Sequence, residues 1–455
     1  MDSTPAITAT PAPALHRTLG GWQVLFYGLG SMLGAGIYSL VDDWASVMGN
    51  AVWAGFLAAM VCAALTGLSY ASLGSRHPRA GGAAYITQHA FGSRVLSTVV
   101  GIAVMMSGLT SMATGLQAIA EIILTKQANP LYIKLLAIGI AALIGAVIYR
   151  GIRESMGLNT LCTFVEAGGL IFIIAVGCRY WGSVDYFATP PPATGGESSG
   201  LTAALLIQGA VLTFFSFIGF EDILNVSEEV KEPRRDVPFG LIGALILGTL
   251  IYVGVAVTAV SVLGWQKLSG SSAPLMDVAR HAAPWFTGIG TAFACISVFA
   301  IGNTALLNYL MGSRLLYGMG TQRLLPEGLS RIHPQRRTPH VAIAVLFVIV
   351  TSLICAGGVK SLSEATVLLL LAVFGCMNAA LFVLKRRPGE ARGGFEISII
   401  IPALGTLVCA ALFGTRLYRA FINSDPSTKD GPLAALVILL IGAVIGCIAW
   451  LRRKR

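Results

Sequence analysis

Gly28–Tyr38, which reads GLGSMLGAGIY, places four glycines within nine residues of an apolar segment. Glycine is about 1 kcal/mol less favourable than alanine in a helix interior, so this density predicts an unwound stretch. Unwound backbone is tolerated at membrane depth only where it lines a cavity, because lipid cannot satisfy free N–H and C=O groups. A second segment, Phe214–Asp222 (FFSFIGFED), is interrupted in the same way. Paired interruptions in the two halves of a chain point to a transporter binding site.

The composition indicates a membrane protein. The chain has 455 residues, of which 55% are hydrophobic and 11% are charged, whereas a soluble domain carries roughly 25% charged residues. The charged residues behind the net charge of +10 lie in short loops between apolar segments. In a membrane protein, their distribution indicates which side of the membrane each loop is on. We therefore expect lipid around the chain and no nucleic-acid partner.

Twelve segments approach the roughly 20 apolar residues that a membrane helix needs. Numbered as spans 1 to 12, they lie at about 22–41, 51–74, 84–121, 131–149, 157–180, 202–226, 237–263, 285–319, 340–357, 361–384, 396–415 and 432–451. Spans 3 and 8 exceed one membrane thickness, so we expect them to tilt or to begin as short surface helices.

The loop charges predict the orientation. Twelve spans place both termini on one side, and most of the 31 Lys and Arg residues lie in loops and ends on that side. The excess of Lys and Arg predicts that this side is cytoplasmic. Residues 1–18 are polar and rich in Ala, Pro and Thr, which predicts a disordered cytoplasmic tail. The compact loops favour a prokaryotic cytoplasmic membrane, with the protein multi-pass in the cell membrane.

A loop rich in Pro, Gly and Ser divides the chain. We interpret residues 183–200 as an extracellular linker between a first five-helix repeat at 19–182 and a second at 201–390. Five spans per repeat force the two repeats into opposite orientations, and each repeat begins with an interrupted span. Residues 391–455 then supply two extra helices and a basic cytoplasmic end.

Five motifs in order, over about residues 18–390, resemble the amino acid–polyamine–organocation (APC) superfamily of secondary transporters. They are Gly30–Tyr38 in span 1, Arg79–Tyr85 before span 3, Phe214–Glu221 in span 6, Glu228–Arg235 after it, and Ser313–Tyr317 with Leu325–Pro326 and Thr338–Pro339 between spans 8 and 9. The resemblance implies an all-α polytopic membrane protein: twelve transmembrane helices, a LeuT-type five-plus-five inverted repeat and two extra helices. It also implies an amino acid permease.

The two breaks predict a site for the substrate head group. Free N–H groups at a half-helix N-terminus favour a carboxylate, and free carbonyls at a C-terminal end favour an ammonium. Carried over from the family by position, the carboxylate site lies at the amides of Ala35, Gly36 and Ile37, beside Gly34. The ammonium site lies at the carbonyls of Met32, Phe215 and Ile218, beside Gly219, and Phe215 covers the substrate. The alternative is a helix-packing face formed by Gly30 and Gly34.

Glu166 is the candidate for proton coupling. It lies in the middle of span 5, where an ionisable residue costs at least about 2.5 kcal/mol and usually has a function. Some proton-coupled relatives have a lysine at a similar position, so the lysine mechanism does not transfer to this carboxylate. Glu166 either carries a proton or forms a structural hydrogen bond to the span 1 break.

Other polar residues of the spans are candidates for the side-chain end of the site. Glu221 follows the span 6 break and either faces the cavity or caps freed N–H groups; the adjacent Asp222 is expected to point elsewhere. Asn303 and Asn308 in span 8, and Thr110 and Ser111 in span 3, are candidates for the side-chain pocket. The alternative for each is a hydrogen bond between helices.

A charged cluster follows span 6. Glu228 and Glu229, with Arg234, are candidates for a cytoplasmic gate of salt bridges that break on opening. The alternative is a solvated loop that anchors the topology, since exposed pairs contribute only about 0–1 kcal/mol.

The sequence motifs indicate no enzyme. The sequence has no nucleophile constellation, phosphate loop or metal-ligand spacing, so we expect no catalytic residue, cofactor or metal. We therefore interpret the chain as a secondary active transporter of amino acids, coupled to protons or working by exchange. The alternatives are a polyamine or other organocation carrier, a transport-dead amino acid receptor, and a channel, although the chain has no continuous polar stripe.

Overall fold

The structure, a computed structural model, describes residues 17–34, 37–38, 41–124, 129–191, 200–271, 273–356, 359–422 and 430–452. Most of these residues are helical, as expected for apolar segments that must satisfy their backbone polar groups internally. The helices are α1 (Gly21–Met32), α2 (Val41–Met48), α3 (Val52–Arg76), α4 (Gly82–Phe91), α5 (Arg94–Leu124), α6 (Pro130–Arg150), α7 (Ile152–Gly177), α8 (Ala203–Thr213), α9 (Ile223–Val226), α10 (Pro233–Leu263), α11 (Trp265–Leu268), α12 (Pro274–Ala282), α13 (Ile289–Thr321), α14 (His340–Ala356), α15 (Val359–Arg386), α16 (Ile400–Ile422) and α17 (Asp430–Arg452).

Within the described ranges, eight helical segments are long and apolar enough to cross a membrane. They are Trp44–Arg76, Arg94–Leu124, Pro130–Arg150, Ile152–Tyr180, Pro233–Leu263, Ile289–Thr321, Ala365–Arg386 and Ile400–Tyr418. Two further apolar helices, His340–Cys355 and Ala435–Ala449, are shorter. These helices fall on predicted spans 2 to 5 and 7 to 12, which agrees with an all-helical, polytopic membrane protein. Spans 1 and 6 are the interrupted segments.

The long third segment is divided into two helices. The short helix α4 ends at Gly92, which has a φ of +67° and donates its amide to the Gln88 carbonyl. A residue in this left-handed conformation stops the helix, and glycine adopts it at little cost. The longer helix α5 then begins at Arg94. Of the two expectations for span 3, a tilt or a short surface helix at its start, the structure shows a short helix before the long one, although much of α4 is buried.

The interrupted segments lie among the longest helices. Helix α1 packs against α7, α10 and α13, while Phe214–Phe217 packs against α3 and Phe220–Asp222 against α1. Aromatic rings fill the space around the second break; Phe220 stacks on Phe374 of α15, with ring centroids 5.4 Å apart. The centre of the bundle is therefore built around the two breaks.

A backbone connection joins the two interrupted segments at the end of the molecule where α1 begins. The amides of Thr18 and Leu19 donate to the Glu229 carbonyl over 2.9 and 3.0 Å, and Lys231 donates to the Leu19 carbonyl over 2.8 Å. Leu19 and Val230 thus form a short parallel bridge. We call this end of the molecule the α1 end.

Several predicted boundaries lie outside the described residues. The predicted tail at 1–18 is described only from residue 17, and residues 192–199 of the predicted linker are not described. The earlier part of that linker packs on the helices: Trp53 donates to the Tyr186 carbonyl over 3.1 Å, and Asn50 donates to the Asp185 carbonyl over 3.0 Å. The domain boundaries and the two-repeat division remain predictions.

Candidate functional site

The first break begins where α1 ends. The Leu33 amide still bonds to the Leu29 carbonyl over 2.9 Å, but Leu33 and Gly34 are no longer helical. A Cβ atom on Gly34 would overlap the Thr304 hydroxyl of α13, so a glycine is needed for this close approach. Helical backbone is present again at Ile37. Ala35 and Gly36 lie outside the described residues, and the predicted carboxylate site at their amides stays a prediction.

The second break replaces the α-helix with 3₁₀ turns. Helix α8 ends at Thr213, and 3₁₀ turns follow at Phe214–Phe217 and Phe220–Asp222. Between them Gly219 has a φ of +128°, a conformation that strongly favours glycine. A Cβ atom on Gly219 would lie 2.7 Å from the Ser31 carbonyl oxygen. The two breaks therefore touch each other through backbone atoms.

Tyr252 of α10 contacts both breaks. Its hydroxyl lies 2.8 Å from the Ser216 carbonyl and within hydrogen-bonding distance of the Met32 carbonyl. These carbonyls lie beside the helix ends at which the sequence predicts ammonium binding. A carbonyl oxygen has two lone pairs, so the contact with Tyr252 leaves one available at Met32.

A cavity opens between the breaks and three further helices. It holds about 570 Å³ of space free of protein atoms, the open solvent at its mouth included. Its lining residues are Ser31, Met32, Gly34, Ser107, Gly108, Ser111, Ile218, Gly219, Glu221, Asp222, Thr304, Asn308, Met311, Thr366 and Leu370. Six predicted site residues are among them: Met32, Gly34, Ile218, Gly219, Glu221 and Asn308. Ile37 is buried outside this lining, and the Phe215 side chain is not among those described.

Two adjacent carboxylates reach the cavity. Glu221 accepts a hydrogen bond from the Gly219 amide over 2.7 Å, so it both caps the break and lines the cavity. Asp222 accepts a bond from the Ser31 hydroxyl over 3.0 Å. The expectation that Asp222 points elsewhere is wrong, because the turn lies against α1 and the cavity extends along both carboxylates. The described lining contains no Lys, Arg or His side chain.

The other polar candidates of spans 3 and 8 separate into two groups. Ser111 lines the cavity beside Asn308. Thr110 instead lies 2.8 Å from the Thr366 hydroxyl, and Asn303 donates to Thr163 over 3.4 Å. Thr110 and Asn303 therefore bond between helices. Ser107 and Gly108 also line the cavity and were not predicted, although their one-turn spacing from Ser111 would place a small, polar face on α5.

Glu166 lies behind the first break, outside the described lining of the cavity. The side chain is buried, and its backbone carbonyl accepts a hydrogen bond from the Tyr38 hydroxyl over 3.0 Å. Neither carboxylate oxygen has a hydrogen bond of normal geometry within the described residues, although Asn303 lies beside it. The proton-coupling role remains a prediction.

The gate candidates have partners from distant parts of the chain. Glu229 forms an ion pair with Arg314 of α13, with 2.8 Å between Oε1 and Nε; the two side chains are 2% and 0% exposed. Glu228 accepts a bond from the Ala80 amide over 2.7 Å. Arg234 is exposed and has no ion pair within the described ranges. The structure thus gives Glu229 a different partner from the one the sequence suggested.

Comparisons with known proteins agree on one family. The sequence profile described as amino acid permease matches residues 19–446. Among curated relatives, the branched-chain amino acid permease BcaP of Bacillus subtilis is 27% identical over 427 residues, covering 88% of this chain and 88% of the relative. The methylthioribose transporter of the same species is 25% identical over 420 residues, covering 87% of each.

A plant relative is longer than this chain. The chloroplastic cationic amino acid transporter 9 of Arabidopsis thaliana is 28% identical over 354 residues, which are 73% of this chain and 60% of the relative. The three relatives are thus a branched-chain amino acid permease, a cationic amino acid transporter and a methylthioribose transporter. Similarity to these proteins alone therefore does not select a substrate.

Proposed function

Since this chain belongs to the amino acid permease family, we propose that it carries amino acids across the cell membrane by alternating access around its two breaks. The proposal includes the twelve-span, five-plus-five architecture, with both termini cytoplasmic. The observation that carries it is the cavity, because residues of both breaks line it together with α5, α13 and α15. A site at the junction of two interrupted helices is the arrangement that alternating access uses.

The charges of the lining favour a cationic substrate. Glu221 and Asp222 are both buried, and no basic side chain lines the described cavity to balance them. A buried charge without a partner is costly, so a bound cation would relieve the site. We propose that the preferred substrates are amino acids with a positively charged side chain. The same two carboxylates also support the second candidate function, an organocation carrier.

The experiment compares three labelled substrates in liposomes that contain the purified protein. Arginine represents the cationic amino acids, leucine the neutral ones, and putrescine the organocations without a carboxylate. We expect arginine to be taken up best, since it fits both the head-group site and the carboxylates. Stronger uptake of putrescine would favour the organocation carrier, and stronger uptake of leucine would contradict the cationic preference. Ligand-induced thermal stabilisation without any uptake would indicate a receptor.

Two neutral variants test the role of the carboxylates. Asp222→Asn and Glu221→Gln should reduce arginine uptake about tenfold or more, since a hydrogen bond to a charged group contributes about 1.5–3 kcal/mol. Leucine uptake should change less. Glu154→Gln is a suitable control, because Glu154 is exposed in the first turn of α7. Equal losses for arginine and leucine would show that the carboxylates only maintain the break.

We also propose that Glu166 carries the proton whose movement is coupled to transport. A buried carboxylate beside the first break, with no aligned hydrogen bond in the described structure, is suited to gaining and losing a proton. Glu166→Gln imitates the permanently protonated form, so it should abolish accumulation driven by a proton gradient. Exchange of internal for external substrate should persist. Full concentrative uptake by this variant would show that Glu166 is structural.

A further inference from the structure

Three potential metal ligands meet at the α1 end, away from the cavity. His77 follows the last residue of α3, His89 lies in α4, and Glu390 lies in the connection between α15 and α16. Glu390 is 301 residues from His89, so no sequence motif marks the group. Within the described ranges, no other set of His, Cys, Asp and Glu side chains has this spacing.

The distances fit a single ion. The Nε2 atom of His77 lies 3.0 Å from Oε1 of Glu390, and the Nε2 atom of His89 lies 3.1 Å from the same oxygen. The three ligand atoms all lie within 4.8 Å of one another. Ligands about 2.0–2.1 Å from a tetrahedral zinc ion are roughly 3.4 Å apart. Only small side-chain movements are therefore needed to place all three around one ion.

The cluster is sheltered but open to solvent on one side. The side chains of His77 and Glu390 are 11% and 9% exposed, whereas His89 is 36% exposed. An ion can therefore enter past His89 and retain a water molecule as its fourth ligand. Three protein ligands plus water is a common arrangement for zinc.

Hydrogen bonding accounts for only part of the group. The His89 Nε2 atom lies within hydrogen-bonding distance of both Glu390 oxygens, at 3.1 and 3.3 Å. The His77 Nε2 atom has no aligned hydrogen bond, although it lies close to the Glu390 carboxylate. Two imidazole nitrogens thus approach one oxygen, and the two rings are 4.6 Å apart between centroids. A shared cation would satisfy both nitrogens and the oxygen together.

The nearby positive charges have other partners. Arg387 donates to the carbonyls of His89 and Ala90 over 2.9 and 2.8 Å, and its nearest approach to Glu390 is 4.0 Å, to the second oxygen. Arg76 pairs with Glu396. Neither guanidinium group therefore pairs with Oε1 of Glu390, the oxygen that faces the two histidines.

We propose that His77, His89 and Glu390 bind one divalent transition-metal ion of the zinc type. Mixed imidazole and carboxylate ligands suit Zn²⁺ and do not suit Mg²⁺, which prefers oxygen ligands. The ion connects the end of α3, the helix α4 and the α15–α16 connection. It would also fix the loop that carries Ala80, whose amide holds Glu228.

The test measures Zn²⁺ binding to the purified, full-length chain after removal of any histidine tag, by competition with a chromophoric chelator. We expect one Zn²⁺ per chain, not displaced by Mg²⁺, and a thermal midpoint that rises with Zn²⁺ and falls again with EDTA. His89→Gln and Glu390→Gln should each weaken binding about tenfold or more. His333→Gln is the control, because its ring packs against Tyr149 and His340 elsewhere in the molecule.

Several outcomes would overturn the proposal. One is the absence of stoichiometric Zn²⁺ binding to the wild type. Another is unchanged affinity in both variants, which would place the ion elsewhere in the molecule. X-ray absorption at the zinc edge of the wild type gives an answer that does not depend on the variants folding. Nitrogen and oxygen ligands near 2.0–2.2 Å would support the site, and sulfur near 2.3 Å would contradict it.

Discussion

The hydroxyl of Tyr252 lies within hydrogen-bonding distance of the Met32 carbonyl at the end of α1. The same hydroxyl lies 2.8 Å from the Ser216 carbonyl in the second break. A phenol has one proton to donate, so the two carbonyls share it. Helix α10 thus holds the two breaks together through a single atom, beside the cavity.

Replacing Tyr252 with Phe tests this connection. The ring should remain packed against Phe56 and Phe217, with centroids at 5.3 and 5.5 Å. We expect a loss of about 0.5–1.5 kcal/mol of stability from the missing hydrogen bond, and a higher KM, since the Met32 carbonyl loses its restraint. Unfolding midpoints and uptake kinetics measure the two effects.

Tyr309→Phe is the matched control for that variant. Tyr309 donates to the Ile343 carbonyl over 2.8 Å, in a buried contact between α13 and α14 that does not line the cavity. Its loss should lower stability to a similar degree and leave KM unchanged. Equal changes in KM for the two variants would contradict a specific role for Tyr252.

Gly219→Ala should disable the site. Its φ of +128° imposes a strain of about 1–3 kcal/mol on alanine, and the new methyl group would press on the Ser31 backbone. We expect substrate binding to be lost for all substrates. Gly168→Ala is the control, since Gly168 lies in α7 with open space around it and should tolerate alanine. Normal binding by Gly219→Ala would show that the breaks need not touch.

The Glu229–Arg314 pair should be sensitive to the loss of either partner. Glu229→Gln leaves the Arg314 charge buried without compensation, which costs about 3–5 kcal/mol. The double variant Glu229→Leu with Arg314→Met should recover much of that loss in thermal unfolding. Arg234→Gln should change stability by less than about 0.5 kcal/mol, because its side chain is exposed. A large loss of stability in Arg234→Gln would instead support an ion pair of Arg234 in this cluster, as the sequence suggested.

Glu396 gives an expected pH dependence. Burial alone would raise the pKa of its carboxyl, but hydrogen bonds from Lys385, the Gly393 amide and Arg76 outweigh this and lower it. A carboxyl whose pKa is lower in the folded state stabilises the fold above its unfolded pKa of about 4.3, and this contribution is lost as the pH falls through the folded value. When the pH is lowered below 4.3, the thermal unfolding midpoint should therefore decrease less in Glu396→Gln than in the wild type. Parallel pH profiles would contradict this.

The breaks were predictable because their cause is local. Glycine density alone indicates where α1 ends, and Gly219 alone supplies the positive φ of the second break. The long helices follow equally from apolar runs that must satisfy their own backbone groups. Met32, Gly34, Ile218 and Gly219 could be placed at the cavity for this reason, together with the resemblance to the family.

The partners of polar side chains were not predictable in the same way. Glu229 bonds to Arg314, 85 residues away, and not to its neighbour Arg234. Asn303 and Asn308 lie in one apolar helix, and the sequence has no polar stripe to show which of them faces the cavity. Within a membrane, hydrophobicity does not distinguish the lipid-facing side of a helix from its buried side. Packing between helices decides such contacts.

The bridge between Leu19 and Val230 consists of peptide groups. Substitutions of their side chains leave the hydrogen bonds in place. The start of the first interrupted helix and the end of the second are consequently joined through main-chain hydrogen bonds. A displacement of either one would therefore be passed to the other. Substitutions in the cavity wall can therefore change which molecules fit there without disturbing this main-chain connection.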